Sequence, residues 1–420
     1  MKHWTVNGGR PLFGTVAVQG AKNSALPIMA ATLLCHGKVI LENCPRLSDI
    51  DAAAELLRCL DCTVQRRGSA LMICTDRAKN APLCSEQTGK LRASVNFMGA
   101  MLARFGETTI GRPGGCVLGK RPIDYHLAAF SALGATVENQ EDGYILRWNT
   151  RTGGVLRLPF PSVGATENIL LAALSAPVTV TILGAACEPE VEDLCRFLAE
   201  CGADIDGIGT DTLTVCGGKP LHGVRHRLIP DRMETATYLA AAAACGGRVR
   251  LTHTDPRLLL PVLSVMELAG CELHLSRTSI ECVRQRELRP FGCITTGGYP
   301  SFPTDAQAPL MAASLAAVGY TSFTELVFPE RFAHVGQLRR FGGEIAVSDA
   351  TAIVHGGMPL HGALAKATDL RGGAGVLIAA LAAEGKSSLY QMHLLDRGYA
   401  QWPKRFRELG AELKTEEDKE

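Results

Sequence analysis

The chain has 420 residues, 46% of them hydrophobic, with 43 basic against 42 acidic side chains. That length exceeds one compact core and predicts two or three domains at about 150 residues each. The near-zero net charge excludes a protein that coats nucleic acid or an anionic membrane, because either task needs a basic surface excess. The longest unbroken apolar runs, such as Tyr238 to Cys245 and Val376 to Ala383, fall far short of the roughly 18 residues that span a bilayer. The opening Met1 to Val6 lacks the apolar stretch of a secretory signal. Fifteen cysteines, scattered singly through apolar segments, predict reduced core thiols in a cytoplasmic protein. Cys59 and Cys62 form a pair, but no second pair stands at zinc spacing, so no metal is expected.

In chain order, the first feature is a strand-like run, Gly14 to Val18, that precedes any repeat. A leftover strand of this kind can close the sheet of the last unit and tie the two chain ends together. Six Ala-rich helices are then predicted at Ser24 to Leu34, Ala93 to Ala103, Thr166 to Leu174, Glu234 to Ala244, Ala306 to Ala317 and Gly373 to Ala383. Each is followed by a turn and a β-rich run. A second landmark, helix then Gly-Ala or a close variant then strand, recurs around Asp61, Gly134, Gly202, Gly270, Gly342 and Gly410, at spacings of 73, 68, 68, 72 and 68 residues. Two landmarks in fixed phase make the chain six copies of a mixed helix and strand unit. Glycine at these helix ends suits a left-handed conformation, which makes Asp61 a candidate for strain. Six units over this length predict two domains of three. One is residues 21–230; the other takes both chain ends, residues 1–20 plus 231–420.

The segments just before the six helices are polar throughout: Gly20-Ala-Lys-Asn-Ser, Lys90-Leu-Arg-Ala-Ser, Pro161-Ser-Val-Gly-Ala-Thr, Pro230-Asp-Arg-Met-Glu, Phe302-Pro-Thr-Asp-Ala and Thr368-Asp-Leu-Arg-Gly-Gly. Several offer a capping residue, and all expose N–H groups and the positive end of a helix dipole. If two domains face each other, six such ends meet one cleft, and Lys22, Arg92 and Arg371 suit it to anionic ligands. Cys116 lies in a loop with four glycines, flanked by Arg112, Lys120 and Arg121, where a thiol can exchange its proton and a loop can move as a lid. The other fourteen cysteines read as small buried hydrophobes. Arg397, in Asp396-Arg-Gly-Tyr, is placed at the end of a strand before a helix. No Walker loop, dinucleotide fingerprint or His-Glu-x-x-His is present, so neither nucleotide cofactor nor catalytic metal is expected. The histidines read as ordinary polar positions.

These pieces carry a family resemblance from end to end. Gly20-Ala-Lys-Asn-Ser-Ala-Leu-Pro, Leu91-Arg-Ala-Ser, Pro113-Gly-Gly-Cys through Arg121-Pro-Ile-Asp, Phe160-Pro-Ser-Val-Gly-Ala-Thr-Glu-Asn, Pro230-Asp-Arg-Met-Glu-Thr, Phe302-Pro-Thr-Asp-Ala-Gln and Asp396-Arg-Gly-Tyr resemble the enolpyruvyl transferases that use UDP-N-acetylglucosamine. The resemblance implies an α/β fold of two inside-out, barrel-like domains, each of three βαβαββ repeats. It also implies transfer of the enolpyruvyl group of phosphoenolpyruvate to the sugar 3′-hydroxyl, with release of phosphate, as the first committed step of peptidoglycan synthesis.

By the same resemblance Lys22, Asn23, Arg121, Arg371 and Arg397 would bind phosphoenolpyruvate, and Cys116 would be the general acid. Fosfomycin would alkylate that cysteine. Asp305 would take the hydroxyl proton, although its place at a helix start favours its charged form, so a neighbouring carboxylate or burial would be needed to raise its basicity. Arg92, Arg121, Pro122, Ile123, Asp124, Tyr125, Ser162, Val163, Gly164, Asp305 and Val327 would meet the UDP-sugar. Catalysis would rest on Cys116, Asp305, Lys22 and Arg397, with both small molecules as partners and no cofactor, nucleic acid or membrane. Three departures bear on substrate preference: Pro329-Glu330 after Val-Phe, Leu394-Leu395 before Asp-Arg-Gly-Tyr, and Tyr125 beside the uracil position. The rivals are a shikimate-3-phosphate enzyme of the same fold, a transferase acting on another uridine nucleotide, and a non-catalytic UDP-sugar-binding regulator. The first lacks the Pro-Gly-Gly-Cys loop, and the last has no need of an acid and a base.

Overall fold

In the computed structural model, which describes residues 2–114 and 123–417, the Ala-rich segments are the helices Lys22–Ala31, Asn96–Phe105, Val163–Ala173, Arg232–Cys245, Thr304–Ser314 and Leu370–Ala382. They are buried along almost their whole length rather than on one stripe. Alanine makes this possible, since it favours the helix and lets neighbouring elements approach closely. By internal contacts the chain forms two units, one of residues 2–19 and 230–417, the other of residues 20–114 and 123–229.

In the unit that holds both chain ends, the helices Arg232–Cys245, Thr304–Ser314 and Leu370–Ala382 pack on one another. Three four-stranded sheets surround them, each with one rule of pairing. The strand that follows the helix pairs with a parallel leading strand on one side and an antiparallel hairpin on the other. Cys293–Thr295, Gly319–Thr324, Thr351–Gly356 and Glu344–Ser348 show it within one unit of sequence. The other two sheets borrow. Leu12–Ala17 is the parallel leading strand beside Gly247–Thr252, and Lys2–Gly8 stands between Gly385–Tyr390 and Glu412–Glu417. The run Gly14 to Val18, expected to complete the last sheet, therefore leads the fourth one. Lys2–Gly8 completes the last, because only that sheet lacks the second strand of its hairpin.

The other unit repeats the rule with a borrowed strand of its own. Arg225–Arg227 leads the first sheet beside Lys38–Glu42, although 183 residues separate the paired Arg225 and Glu42. Gly154–Arg157 leads the third beside Thr179–Leu183. The sheet of Glu107–Gly111, Gly143–Trp148 and Ala135–Gln140 has three strands, with one parallel bridge, Leu83 to Ile110, where a leading strand would lie. Helix Asn96–Phe105 packs against both Lys22–Ala31 and Val163–Ala173.

At the second landmark, Gly134, Gly202, Gly270, Gly342 and Gly410 have φ between 90° and 105°, while Asp61 has φ 66°. Asp61 thus occupies the part of left-handed space that aspartate tolerates, and the glycines lie beyond it. Asp61→Gly is expected to leave the urea midpoint of unfolding unchanged or slightly lowered, since aspartate tolerates this φ, pairs with Lys79 and restricts the unfolded chain more than glycine. Gly410→Ala, in open space but at φ 90°, is expected to cost about 1 kcal/mol or more. Urea titration of both variants checks the pair.

Candidate active site

In the unit with both chain ends, Asp305 is the second residue of its helix and accepts from two buried guanidiniums. Arg331 Nη2 reaches Oδ1 at 2.8 Å, while Arg371 Nε and Nη2 reach Oδ2 at 3.1 and 3.0 Å. Arg331 and Arg371 are 4% and 3% exposed, so their pairing with a carboxylate is what makes their burial tolerable. Where a neighbouring carboxylate or burial would raise the basicity of Asp305, the contacts described bring two cations, which favour its charged form.

The surroundings are built to hold that cluster. Arg331 Nη1 also donates to Thr304 Oγ1 at 2.8 Å, and Thr304 donates to Glu325 Oε2 at 2.8 Å. Glu325, fully buried, takes Thr296 Oγ1 and the N–H groups of Val327 and Phe328 on Oε1. It therefore sets the turn that presents half-buried Val327. Asp369 caps its helix through the N–H groups of Arg371 and Gly372. Burial works against the Arg371 charge, but Tyr399, Asp305 and Asp231 more than offset it and raise its pKa. Asp231 caps the helix Arg232–Cys245, so all three helix starts bear on this place. Arg397 is half-buried at the end of a 3₁₀ helix, Met392–Arg397, rather than at the end of a strand.

In the other unit Lys22 Nζ pairs with Asp49 Oδ2 at 3.0 Å, both groups buried, and Asn23 beside it is exposed. Ser24 donates to Asp193 Oδ2, and Asp193 Oδ1 meets His226 Nε2 at 3.1 Å, with Glu200 on the other ring nitrogen at 2.8 Å. Burial opposes the charge on His226, but the two carboxylates outweigh it and raise its pKa. The Lys22 turn thus stands on a buried ionic chain, and His226 is no ordinary polar position. Pro27 and Pro309 have no N–H for the carbonyls of Asn23 and Asp305 four residues earlier. Both helices therefore lack one backbone hydrogen bond of the helix ladder at the residue expected to meet substrate.

Arg92, Ser162, Val163, Gly164 and Tyr125 are half-buried, Ile123 is buried and Asp124 exposed. Three of them gather round His126. A Cβ on Gly164 would stand 3.0 Å from His126 Cε1, and the charges of Arg92 and Asp124 both act on the ring. Burial, with Arg92 adding and Asp124 opposing, pushes the His126 pKa down to about 4, leaving a neutral ring. Its Nδ1 lies 2.8 Å from Asn168 Nδ2, which makes that nitrogen the acceptor. Ser162 caps Val163–Ala173 through the Ala165 N–H. Cys116, Lys120, Arg121 and Pro122 lie outside the described residues. The preceding Gly111 to Gly114 rests on the turn at 85–89, where a Cβ on Gly114 would stand 1.7 Å from the Gly89 carbonyl oxygen. Arg112 bonds the carbonyls of Gln140 and Glu141 and the Tyr144 hydroxyl.

A family model described as EPSP synthase (3-phosphoshikimate 1-carboxyvinyltransferase) matches residues 6–406. Two curated relatives are UDP-N-acetylglucosamine 1-carboxyvinyltransferase 2 of Clostridium tetani, 40% identical with 97% of this chain and 98% of that one covered, and UDP-N-acetylglucosamine 1-carboxyvinyltransferase of Chlorobium phaeovibrioides, 41% identical with 99% of each covered. The chain belongs to the enolpyruvyl transferase family. Its fold is similar to that of the enolpyruvyl transferase NikO from Streptomyces tendae, at a TM-score of 0.90 and 25% identity over 99% of this chain and 98% of that one. It is also similar to EPSP synthase from Acinetobacter baumannii, at 0.77 and 16% over 99% and 100%.

Within this enolpyruvyl transferase, the residues that sequence reasoning missed are Arg331, Asp49, Glu325 and Asp193. Their partners lie 26, 27, 29 and 169 residues away for Asp305, Lys22, Thr296 and Ser24. The one available signal was Pro329-Glu330, which marks the turn leading to Arg331. The cysteines also need correction: Cys59, Cys84 and Cys293 are exposed, and Cys74, Cys187, Cys216 and Cys245 are only partly buried. Among the described residues no cluster of His, Cys, Asp and Glu could hold a metal ion.

Below His126, Asn168 also holds Gly99 N and Val95 O, and Asn96 Nδ2 donates to buried Glu167 at 2.7 Å. Burial pushes the Glu167 carboxyl from the usual 4.5 up to about 8. The folded chain therefore holds a proton that the unfolded chain releases over that interval. The stability contributed by neutral Glu167 is complete below about pH 4.5 and is lost as pH rises towards 8. Glu167→Gln keeps an acceptor for Asn96 and cannot ionise. Its stability relative to the parent chain is expected to increase from pH 5 to pH 8 in urea titrations; an equal difference at both would contradict the assignment.

Proposed function

We propose that this chain transfers the enolpyruvyl group of phosphoenolpyruvate to the 3′-hydroxyl of UDP-N-acetylglucosamine, releasing phosphate at the first committed step of peptidoglycan synthesis. The observation that carries this reading is identity of about 40% over nearly the whole length to relatives named for that reaction. The shikimate-3-phosphate reaction has less support, since the EPSP synthase structure shares 16% identity and speaks for the fold alone. The proposed setting is the cytoplasm, and no helix among the described residues is long and apolar enough to cross a membrane.

The residues are assigned roles by their chemistry. Lys22, Arg121, Arg371 and Arg397, with Asn23, bind the phosphate and carboxylate of phosphoenolpyruvate, where fixed cations stabilise charge as it develops. Arg92, Arg121, Pro122, Ile123, Asp124, Tyr125, Ser162, Val163 and Gly164 hold the uridine and diphosphate, and Val327 meets the acetamido group. In the addition step the sugar oxygen bonds to C2 of phosphoenolpyruvate and its proton passes to Asp305, while Cys116 gives a proton to the C3 methylene. In the elimination step C3 returns a proton to the Cys116 thiolate, the C2–phosphate bond breaks, and the proton on Asp305 leaves with the phosphate. The double bond reforms and phosphate leaves. Arg331 and Arg371 fit this sequence because an arriving anion competes with Asp305 for their donors. As those bonds loosen, the carboxylate becomes the better base.

Phosphate release from phosphoenolpyruvate is expected only when UDP-N-acetylglucosamine is present, among a panel of uridine nucleotides and shikimate 3-phosphate. Turnover with another acceptor alone would replace this substrate assignment, and binding of both substrates without phosphate release would replace catalysis with a regulatory role. Fosfomycin is expected to add one modification, at Cys116. Mass spectrometry of peptides checks this, and labelling of exposed Cys59, Cys84 or Cys293 instead would count against the assigned acid.

A further inference from the structure

Tyr399 lies two residues beyond Arg397 and is 2% exposed. Its backbone is held from one side chain. Gln19 donates through Nε2 to the Gly398 carbonyl at 2.8 Å and accepts the Ala400 N–H on Oε1 at 3.0 Å. Gly398 packs closely under Leu370, whose Cδ2 would stand 2.7 Å from a Cβ there. Gln19 is fixed in turn, its N–H meeting Glu234 Oε2 at 2.8 Å, while Glu234 Oε1 holds Arg405 at 2.6 Å.

The hydroxyl of Tyr399 is held with equal definition. Thr237 Oγ1 lies 2.9 Å from the Met233 carbonyl, to which it can donate its single proton, and 2.8 Å from the Tyr399 hydroxyl, from which it then accepts. In that arrangement the Tyr399 proton goes to Thr237, and its oxygen accepts from Arg371 Nη1 at 2.9 Å. The ring lies beneath the same guanidinium, 5.4 Å from ring centroid to Cζ. Thr237 and Arg371 are both 3% exposed, so water offers no ready substitute. Phenylalanine would fill the same volume; the hydroxyl has meaning only for what it bonds.

We infer that Tyr399 is a positioning residue, which fixes the Arg371 guanidinium so that its Nε and Nη2 edge faces Asp305 in one orientation. This rests on the placing of Arg371 at the phosphoenolpyruvate site. A free guanidinium in that place would swing about its stem, and both the anion and Asp305 would meet a moving partner.

The test uses the full chain with Tyr399→Phe, Arg371→Lys and the double variant. Each is assayed for phosphate release, for direct binding of phosphoenolpyruvate in the presence of UDP-N-acetylglucosamine, and for Tm. Tyr399→Phe is expected to lower both affinity and kcat/KM for phosphoenolpyruvate about tenfold, as for loss of one bond to a charged group, with KM for the UDP-sugar within about twofold. In the Arg371→Lys background the same change should cost less than about twofold, since the two act as one unit. Thr237→Val should reproduce part of the defect, and Thr237→Ser, which keeps the hydroxyl, should recover it. A lowered Tm with unchanged phosphoenolpyruvate parameters, or equal losses in both backgrounds, would overturn the role. A parent chain that binds phosphoenolpyruvate but releases no phosphate would remove the transfer reading, while the binding series still decides the role of Tyr399.

Discussion

A carboxylate between two buried guanidiniums is costly to assemble, because each charge leaves water and regains stability only from its partners. Asp305 with Arg331 and Arg371 forms such a group, and much of its unit is arranged to complete it. Thr304 and Glu325 hold Arg331 from one side; Asp369 and Tyr399 hold Arg371 from the other. Removal of Asp305 would leave two buried guanidiniums without this shared carboxylate. An incoming anion differs, because it replaces what it displaces. That asymmetry suits a site that must be rigid when empty and yielding to one class of ligand.

The fold supplies the geometry by a repeated device. A buried Ala-rich helix places its first turn, with the positive end of its dipole, at the end of a small sheet. Lys22, Asn23, Asp305 and Arg371, the residues proposed for the site, all stand in such first turns, and of these helices only that of Arg371 has a capping side chain, Asp369. Strand borrowing links the copies. Lys2–Gly8 and Leu12–Ala17 knit the start of the chain into sheets made from its second half, and the following Gln19 reaches Gly398 and Ala400 near the other end. The chain ends are thereby coupled to the segment that carries Arg397 and Tyr399.

Six repeats, their helices and their strands were legible because each is written in local pattern: runs of alanine, a glycine at a helix end, alternation after it. Partner choice was not. Nothing near Lys22 announces Asp49, and nothing near Ser24 announces Asp193; packing in three dimensions selects them. Alternation marked Gly14 to Val18 as a strand but could not say which sheet it joins, since neighbouring sheets differ only in which strand each lacks. The small size of cysteine suggested burial at every position but Cys116, yet Cys59, at the end of a helix, and Cys84, at the cap of another, are exposed. For Asp305 the local sequence offered only the helix dipole, which favours its charged form, and left open which neighbour tunes its basicity. The decisive neighbours, Arg331 and Arg371, come from 26 and 66 residues away.

The dependence of turnover on that central carboxylate is read most directly by phosphate release from Asp305→Asn, at saturating phosphoenolpyruvate and UDP-N-acetylglucosamine. The amide keeps the size of the group but loses its charge and its capacity to take a proton. Turnover is predicted to fall about a hundredfold or more, with binding of the UDP-sugar retained. A rate within about threefold of the parent chain would contradict the account, because general-base catalysis is typically worth far more.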